Sequence, residues 1–278
     1  MPVRRIAYLP LNSYPEAVAE DALRATVGFA VPLGVALHVT TFAVDIPKIT
    51  SPLAGLMLDV PGMVRAAEEH SRDDCRRLGD IARAVGAPEG LTLSERTLVL
   101  GAALDAAAQE ARYFDLSLLP WSRESQSTRD MAEAVVFGSG RPAILVPPSA
   151  QAEKIDHLAV AWDGSRVASR ALGDALALLR DGGRITVLTV KDEKPLTGRA
   201  IAGTLATCLE NRGFVAQPAE IDLRGRPIGE VLQDEALKAG ASLLAMGGFG
   251  HSRLRDFILG GATAEVFADL RLPVLLSH

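Results

Sequence analysis

Short apolar runs alternate along the chain with longer stretches in which apolar residues recur at helical spacing, and the alternation occurs twice. In the C-terminal half, His157–Trp162 predicts a buried strand, which Asp163-Gly164-Ser165 ends. Arg166–Arg180 predicts a helix, stopped by Asp181-Gly182-Gly183, and Ile185–Val190 predicts a β-branched second strand. Helix Ile201–Asn211, strand Phe214–Leu223, helix Gly229–Lys238 and strand Leu243–Met246 follow, then helix Ala262–Leu270 and strand Pro273–Leu276. The N-terminal half has the same order. Its strands are read at Ile6–Leu9, Val35–Val44, Leu91–Leu98, Leu116–Leu119 and Ala143–Val146, and its helices at Pro15–Ala30, Pro61–Val85, Leu100–Tyr113 and Thr128–Phe137.

Strands separated by helices pair in parallel, because a parallel neighbour needs a long crossover. With right-handed crossovers, the expected fold class is α/β: two doubly wound five-stranded parallel sheets in tandem, with 3-2-1-4-5 taken as the strand order of each. A repeat of this length is a duplicated domain rather than a solenoid unit. The expected domains are residues 1–149 and 150–278, with the boundary in the polar stretch Pro147–Lys154. Each final strand follows a proline, Pro142 or Pro273, and each is a short apolar edge. Exposed edges tend to be covered, so the halves are expected to pack as an intramolecular pseudo-dimer through Ala143–Val146 and Val274–Leu276. A homodimer of two such chains follows the same logic, since two-fold pairs are the commonest oligomers. One segment differs between the halves. Ile46–Gly62 is unusually apolar for a loop, and it either covers a pocket or packs on the other half.

Composition narrows the picture. Hydrophobic residues make up 48% of the 278 and aromatics only 5%, so the core is built from Ala, Val, Leu and Ile, as in helix-covered parallel sheets. The net charge of -5 argues against a broad nucleic-acid face. No apolar run is long enough to cross a membrane and no signal peptide is evident, so the expectation is a cytoplasmic protein with no membrane partner. Cys75 and Cys208 form neither a disulfide framework nor a metal spacing.

The candidate chemistry lies between Met246 and Thr263. Gly247 and Gly250 follow a strand, and Gly260 and Gly261 precede a helix. Glycines let backbone N–H groups approach an oxyanion closely. A helix starting near Gly261 presents unpaired donors and the positive end of its dipole, and successive amides can form an anion nest. In an open sheet, ligands bind beyond the carboxyl ends of the strands, where the order reverses. There Asp163, ending strand one, converges with the glycines after strand four. Each feature also has a bland reading: glycines that only turn the chain, a short helix Ser252–Leu259 ended by Gly260, and Asp163-Gly164-Ser165 as an ordinary helix cap.

Gly247, Gly250 and Gly260 match the spacing Gly, two residues, Gly, nine residues, Gly of the universal stress protein family, which the chain resembles in its tandem two-domain form. The resemblance implies an adenine nucleotide alpha hydrolase-like fold and a stress-response regulator, possible ligands being ATP, with Mg²⁺, or another adenine nucleotide. It implies that Asp163 bonds the adenine or ribose side and Val190 lines the base pocket. Met246 and Gly247 would pass over the ribose, and Gly250, Gly260, Gly261, Ala262 and Thr263 would hold the phosphates. His251, Arg253 and Arg255 would add positive charge. Nucleotide-binding members usually have Ser or Thr where this chain has Gly261, which removes one phosphate hydrogen bond, worth roughly 1.5–3 kcal/mol.

The first half lacks the set. Its strand one ends in Pro10-Leu11-Asn12-Ser13 and its strand four in Pro120-Trp121-Ser122-Arg123, so its site is expected to be degenerate. Gly138-Ser139-Gly140 follows a helix and reads as its terminator. Neither a P-loop nor a Gly-x-Ser-x-Gly elbow is present, and His38, His70, His157 and His278 are scattered. Asp256 and Glu265 near the motif are the residues that could assist a metal or water. The expectation is little or no catalysis. The alternatives are an interaction scaffold without ligand and a slow nucleotide hydrolase.

Overall fold

The computed structural model describes residues 5–47, 59–191, 201–248 and 261–278. Most of the apolar 46–62 segment and the expected helix Ser252–Leu259 therefore lie outside the described residues. The N-terminal half runs β1 (Ile6–Asn12), α1 (Glu20–Leu33), β2 (Ala36–Asp45), α2 (Val60–Val85), β3 (Leu91–Val99), α3 (Ala103–Ala111), β4 (Leu116–Pro120), α4 (Gln126–Gly138) and β5 (Ala143–Val146). The C-terminal half runs β6 (His157–Ala161), α5 (Arg166–Leu176), β7 (Arg184–Val190), α6 (Ile201–Glu210), β8 (Val215–Ile221), α7 (Ile228–Ala239), β9 (Leu243–Gly247), α8 (Gly261–Ala268) and β10 (Val274–Ser277).

All ten strands join one sheet, in the order β3-β2-β1-β4-β5-β10-β9-β6-β7-β8. Read inward from its outer edge, each half has the expected order 3-2-1-4-5, and its internal pairs are parallel. The two five-stranded blocks meet where β5 pairs antiparallel with β10, with Leu145 opposite Val274, Ile144 opposite Leu275 and Ala143 opposite Leu276. All six side chains are fully buried. Each edge therefore removes the other from water, which neither half can do alone. The outer edges are β3 and β8, and Pro218 sits in β8, where a missing N–H costs no inner ladder bond.

The core forms two layers, one on each face of the sheet. Odd residues of β1 (Ala7, Leu9, Leu11) share one layer with Leu78 of α2, Ala171 of α5 and Leu209 of α6. Tyr8 shares the other with Ala107 of α3, Val135 of α4, Leu232 of α7 and Phe267 of α8. Both layers run through the seam without a break, since each contains strands of both halves. Burial on both faces explains why most of these strands read as continuous apolar runs.

Helix ends differ from the periodicity in ways that tertiary anchors explain. α1 begins at Glu20 rather than near Pro15. The Ser13 hydroxyl donates to the Phe42 carbonyl at 2.7 Å and lies 2.7 Å from the Ser71 hydroxyl, so residues 13–19 cross the strand ends before helix can start. α3 begins at Ala103 because Gly101, at φ 88°, turns the chain first. α4 ends at Gly138, and Gly140 turns in the left-handed region, as the terminator reading expects. Among the described residues, no helix is long and apolar enough to cross a membrane.

Candidate functional site

In the C-terminal half the strand order reverses between β6 and β9. Val160 lies opposite Ala245, so Asp163 and Gly248, each three residues further on, leave the sheet at the same level. Val190 ends β7 on the other side of β6, where Trp162 N–H donates to the Leu188 carbonyl at 2.8 Å. Asp163, Val190 and Gly247 thus gather at the carboxyl ends of three adjacent strands. A helix that follows a parallel strand runs back against it, so the N-terminus of α8, at Gly261, opens at the same end. Ala161, Val190 and Ala262 all pack on the apolar layer of the α7/α8 face. Gly250 and Gly260 lie outside the described residues, as do His251, Arg253, Arg255 and Asp256.

Local chemistry assigns several of these residues a structural task. Asp163 Oδ1 accepts the Ser165 N–H at 2.9 Å, closing a tight turn through Gly164 at φ 74°. Ser165 Oγ then accepts the Ala168 N–H at 3.2 Å and caps α5. A Cβ on Gly247 would stand 2.6 Å from Val167 Cγ2 and 2.8 and 2.9 Å from backbone atoms of Val167 and Ala168. Close approach of β9 to the first turn of α5 is therefore enough to require glycine at 247. Gly248 is roomier, with the nearest atoms 3.6 Å from a built Cβ, and its N–H donates to the Ser277 carbonyl at 2.8 Å. The Met246 side chain is buried in the core, which leaves only its backbone for a ligand. The Thr263 side chain is likewise buried, at 3% exposure.

Glu265, suggested by its sequence position as a helper of metal or water, has another partner. Its Oε2 accepts the Gly229 N–H at 2.7 Å, at the start of α7, where a carboxylate meets the positive end of the helix dipole. Gln233 of α7 donates to the Asp269 carbonyl at 2.7 Å and accepts the Arg271 N–H at 2.8 Å. Nearby, Asp234 binds both Arg226 and Arg271, and the hydrogen bond from Arg226 holds its carboxyl below the usual carboxylate range. These contacts tie α8 and the turn that follows it to α7. Sequence spacing shows none of the links from α7 to Glu265, Asp269 and Arg271, since each joins positions some 36–38 residues apart.

The corresponding crevice of the N-terminal half is closed. Pro10, Asn12, Val18, Leu119, Pro120, Ser127, Thr128 and Met131 surround a cavity of about 10 Å³, room for about one water. Asn12 Nδ2 donates to the Tyr14 carbonyl and, at 3.4 Å, to Ser127 Oγ. A second polar group of this half lies between the sheet and α3. Glu110 accepts from Tyr8 at 3.2 Å, Thr40 at 3.1 Å and Arg96 at 3.2 Å, and Ser94 stands 3.3 Å from His38 Nε2. Burial, reinforced by Glu110, pushes the Tyr8 phenol far above its ordinary range, so it stays protonated and donates to Glu110. Glu110 approaches His38 on the same ring nitrogen that faces Ser94, so no relay from serine through imidazole to carboxylate exists. Among the described residues, no cluster of His, Cys, Asp and Glu is arranged to hold a metal ion.

Comparison with known proteins bears on the family of the C-terminal region and on the fold. Residues 154–278 match the Usp family, described as the universal stress protein family, so the C-terminal region carries a domain of that family. Universal stress protein Slr1230 of Synechocystis sp. is 28% identical over 145 residues, which cover 51% of this chain and 49% of the relative. The match thus spans about half the length of that curated relative. The crystal structure of a universal stress protein from Archaeoglobus fulgidus DSM 4304 covers 97% of this chain and 95% of its own, with TM-score 0.67 and 16% identity. That similarity establishes the α/β fold over the whole chain. A universal stress protein solved in complex with cAMP covers 45% of the chain at 19% identity with TM-score 0.33, too low a score to carry an argument.

Proposed function

We propose that the chain is a stress-response regulatory protein whose residues 150–278 form a domain that binds an adenine nucleotide, while residues 1–149 form a second, degenerate domain. The observation that supports it best is the gathering of Asp163, Val190 and Gly247 at the point where the strand order reverses, facing the end of the sheet at which α8 begins. Asp163 would accept a hydrogen bond from the nucleoside, and Val190 would line the base. The backbone of Met246 and Gly247 would pass over the ribose. The amides of Gly261, Ala262 and Thr263 would meet the phosphates at the positive end of α8. Gly250 and Gly260 join this set by their spacing along the chain. Mg²⁺, where present, would accompany the phosphates of ATP. The output is a change of conformation or association with little turnover. A cytoplasmic setting fits two free cysteines, Cys75 and Cys208.

Calorimetric titration of the full chain with a non-hydrolysable ATP analogue, with and without Mg²⁺, tests this reading. The expected result is one site per chain, removed by Gly260→Asp, which places bulk and negative charge in the phosphate cradle. No heat up to millimolar analogue overturns it, and two sites per chain overturn the degenerate first half. Phosphate release from ATP above the Gly260→Asp background would instead indicate a slow hydrolase.

A second reading, a scaffold with no ligand, is favoured by Gly247 and Asp163. Packing against α5 alone requires the first, and the turn before α5 already engages the second. The same titration separates the two.

A further inference from the structure

The two halves contact each other beyond the β5–β10 seam, and the contact is lopsided. After β4, the Trp121 N–H donates to the carbonyl of Val146, the last residue of β5, at 2.9 Å. After β9, the Gly248 N–H donates to the carbonyl of Ser277, the last residue of β10, at 2.8 Å. Trp121 and Gly248 are therefore counterparts across the seam. Phe137 and Phe267 are counterparts too, each the penultimate residue of the helix before the final strand. On one side, Phe267 meets the Trp121 indole edge-to-face, with centroids 5.3 Å apart and planes at 87°. On the other, the Phe137 ring lies 3.6 Å from the Cβ position of Gly248 and stacks edge-on with His278, centroids 5.7 Å apart.

Trp121 is held by its own half. It is 2% exposed, and the Arg129 guanidinium sits over its ring, 5.7 Å from the centroid. α8 is a short helix, pinned to α7 on one flank by Glu265 and, just past its end, by the Asp269 carbonyl. The indole supplies a contact from the other half of the chain. Phe267 lies six residues after Gly261, about 9 Å along the helix axis, so a pivot at Phe267 displaces the amides that open α8. Binding groups must be held to within about 0.5 Å for full effect.

We infer that Trp121, a residue of the N-terminal half, is a positioning residue for the ligand site of the C-terminal half, acting through Phe267 and α8. This rests on the nucleotide-binding reading above. The degenerate half then keeps a role in binding: it sets the helix that meets the phosphates. Ligand occupancy and the packing of the two halves become linked, because whatever holds α8 against Trp121 also favours the ligand.

Titration of full-length variants with the same ATP analogue tests the inference. Trp121→Ala is expected to weaken binding about tenfold, and Trp121→Phe, which keeps an aromatic partner for Phe267, to stay within about threefold of the unsubstituted chain. Leu78→Ala, buried on the opposite face of the sheet, serves as the stability control: it lowers the thermal midpoint but leaves affinity unchanged. If Trp121→Ala does not fold, Phe267→Leu reads the same contact. Unchanged affinity in Trp121→Ala or Phe267→Leu overturns the inference while leaving the nucleotide reading intact. So does an equal loss in Leu78→Ala. Absence of binding to the unsubstituted chain overturns the nucleotide reading, and the inference with it.

Discussion

The carboxyl ends of β1 and β6 occupy equivalent places in the same strand order, yet the residues that follow the paired strands differ. At the end of β1, two prolines, Asn12 and Met131 leave about 10 Å³. After β4 stands Trp121, and after β9 stands Gly248. The backbone order repeats in both halves, while side-chain volume sets the space left at the end of β1. The comparison also shows that a glycine in a suggestive position has more than one cause: Gly247 is crowded by α5, whereas Gly248 has room.

The largest effect should come from the seam that the halves share. Leu275 is fully buried opposite Ile144, and Leu275→Ala should cost about 2–5 kcal/mol of unfolding free energy in urea titrations. Because both core layers cross the seam, the unsubstituted chain should unfold in one transition by both fluorescence and circular dichroism. Two separated transitions would show that the halves are energetically independent, and the comparison would then be between two proteins on one chain.

The paired glycines give the next largest contrast. Gly247→Ala pushes a methyl into the backbone of Val167 and Ala168 and should destabilise by about 1–3 kcal/mol. Gly248→Ala meets nothing closer than 3.6 Å and should cost about 0.5–1 kcal/mol at most. Equal losses in thermal unfolding would show that the crowding at 247 relaxes freely.

Helix caps should behave alike in the two halves even though the crevices differ. Ser165 caps α5 at 3.2 Å and Ser125 caps α4 at 3.4 Å, so Ser165→Ala and Ser125→Ala should each cost about 1 kcal/mol. A much larger loss for Ser165→Ala would reveal that the Asp163 turn collapses with the cap.

The smallest expected effect is a pH dependence confined to the C-terminal half. Burial, aided by the Arg184 charge, lowers the His157 imidazole below its ordinary 6.5, and its Nε2 lies 2.9 Å from Thr186 Oγ1. As pH falls from 6.5 towards the folded value, the unfolded chain takes up the proton first, so stability is lost across that window. Above 6.5 this group contributes no slope. His157→Gln should flatten the window in midpoint-against-pH measurements, and an unchanged slope would assign it to other groups.

Much of the fold was legible in the chain. Each of the ten strands carries a local apolar signal, and the parallel pairing within each half follows from the helices between its strands. The start of α1 was not legible, because Ser13 is anchored by Phe42 and Ser71, far along the chain. In the candidate site, the spacing of Gly247 and the strand-end position of Asp163 could be read directly. The reason for Gly247, the commitment of Glu265 to α7 and the contact of Trp121 with Phe267 could not. Aligning the two halves residue by residue would have flagged Trp121 opposite Gly248, but not what the indole touches.

Sequence alone determined the alternation of strands and helices and the apolar character of β5 and β10, because these depend on neighbours within a few residues. Tertiary structure alone decided that β5 and β10 run antiparallel, and that one glycine is crowded while its neighbour is not. It also decided that a tryptophan of one half bears on a helix of the other. Those outcomes depend on contact distances between segments up to about 146 residues apart, which no local pattern encodes.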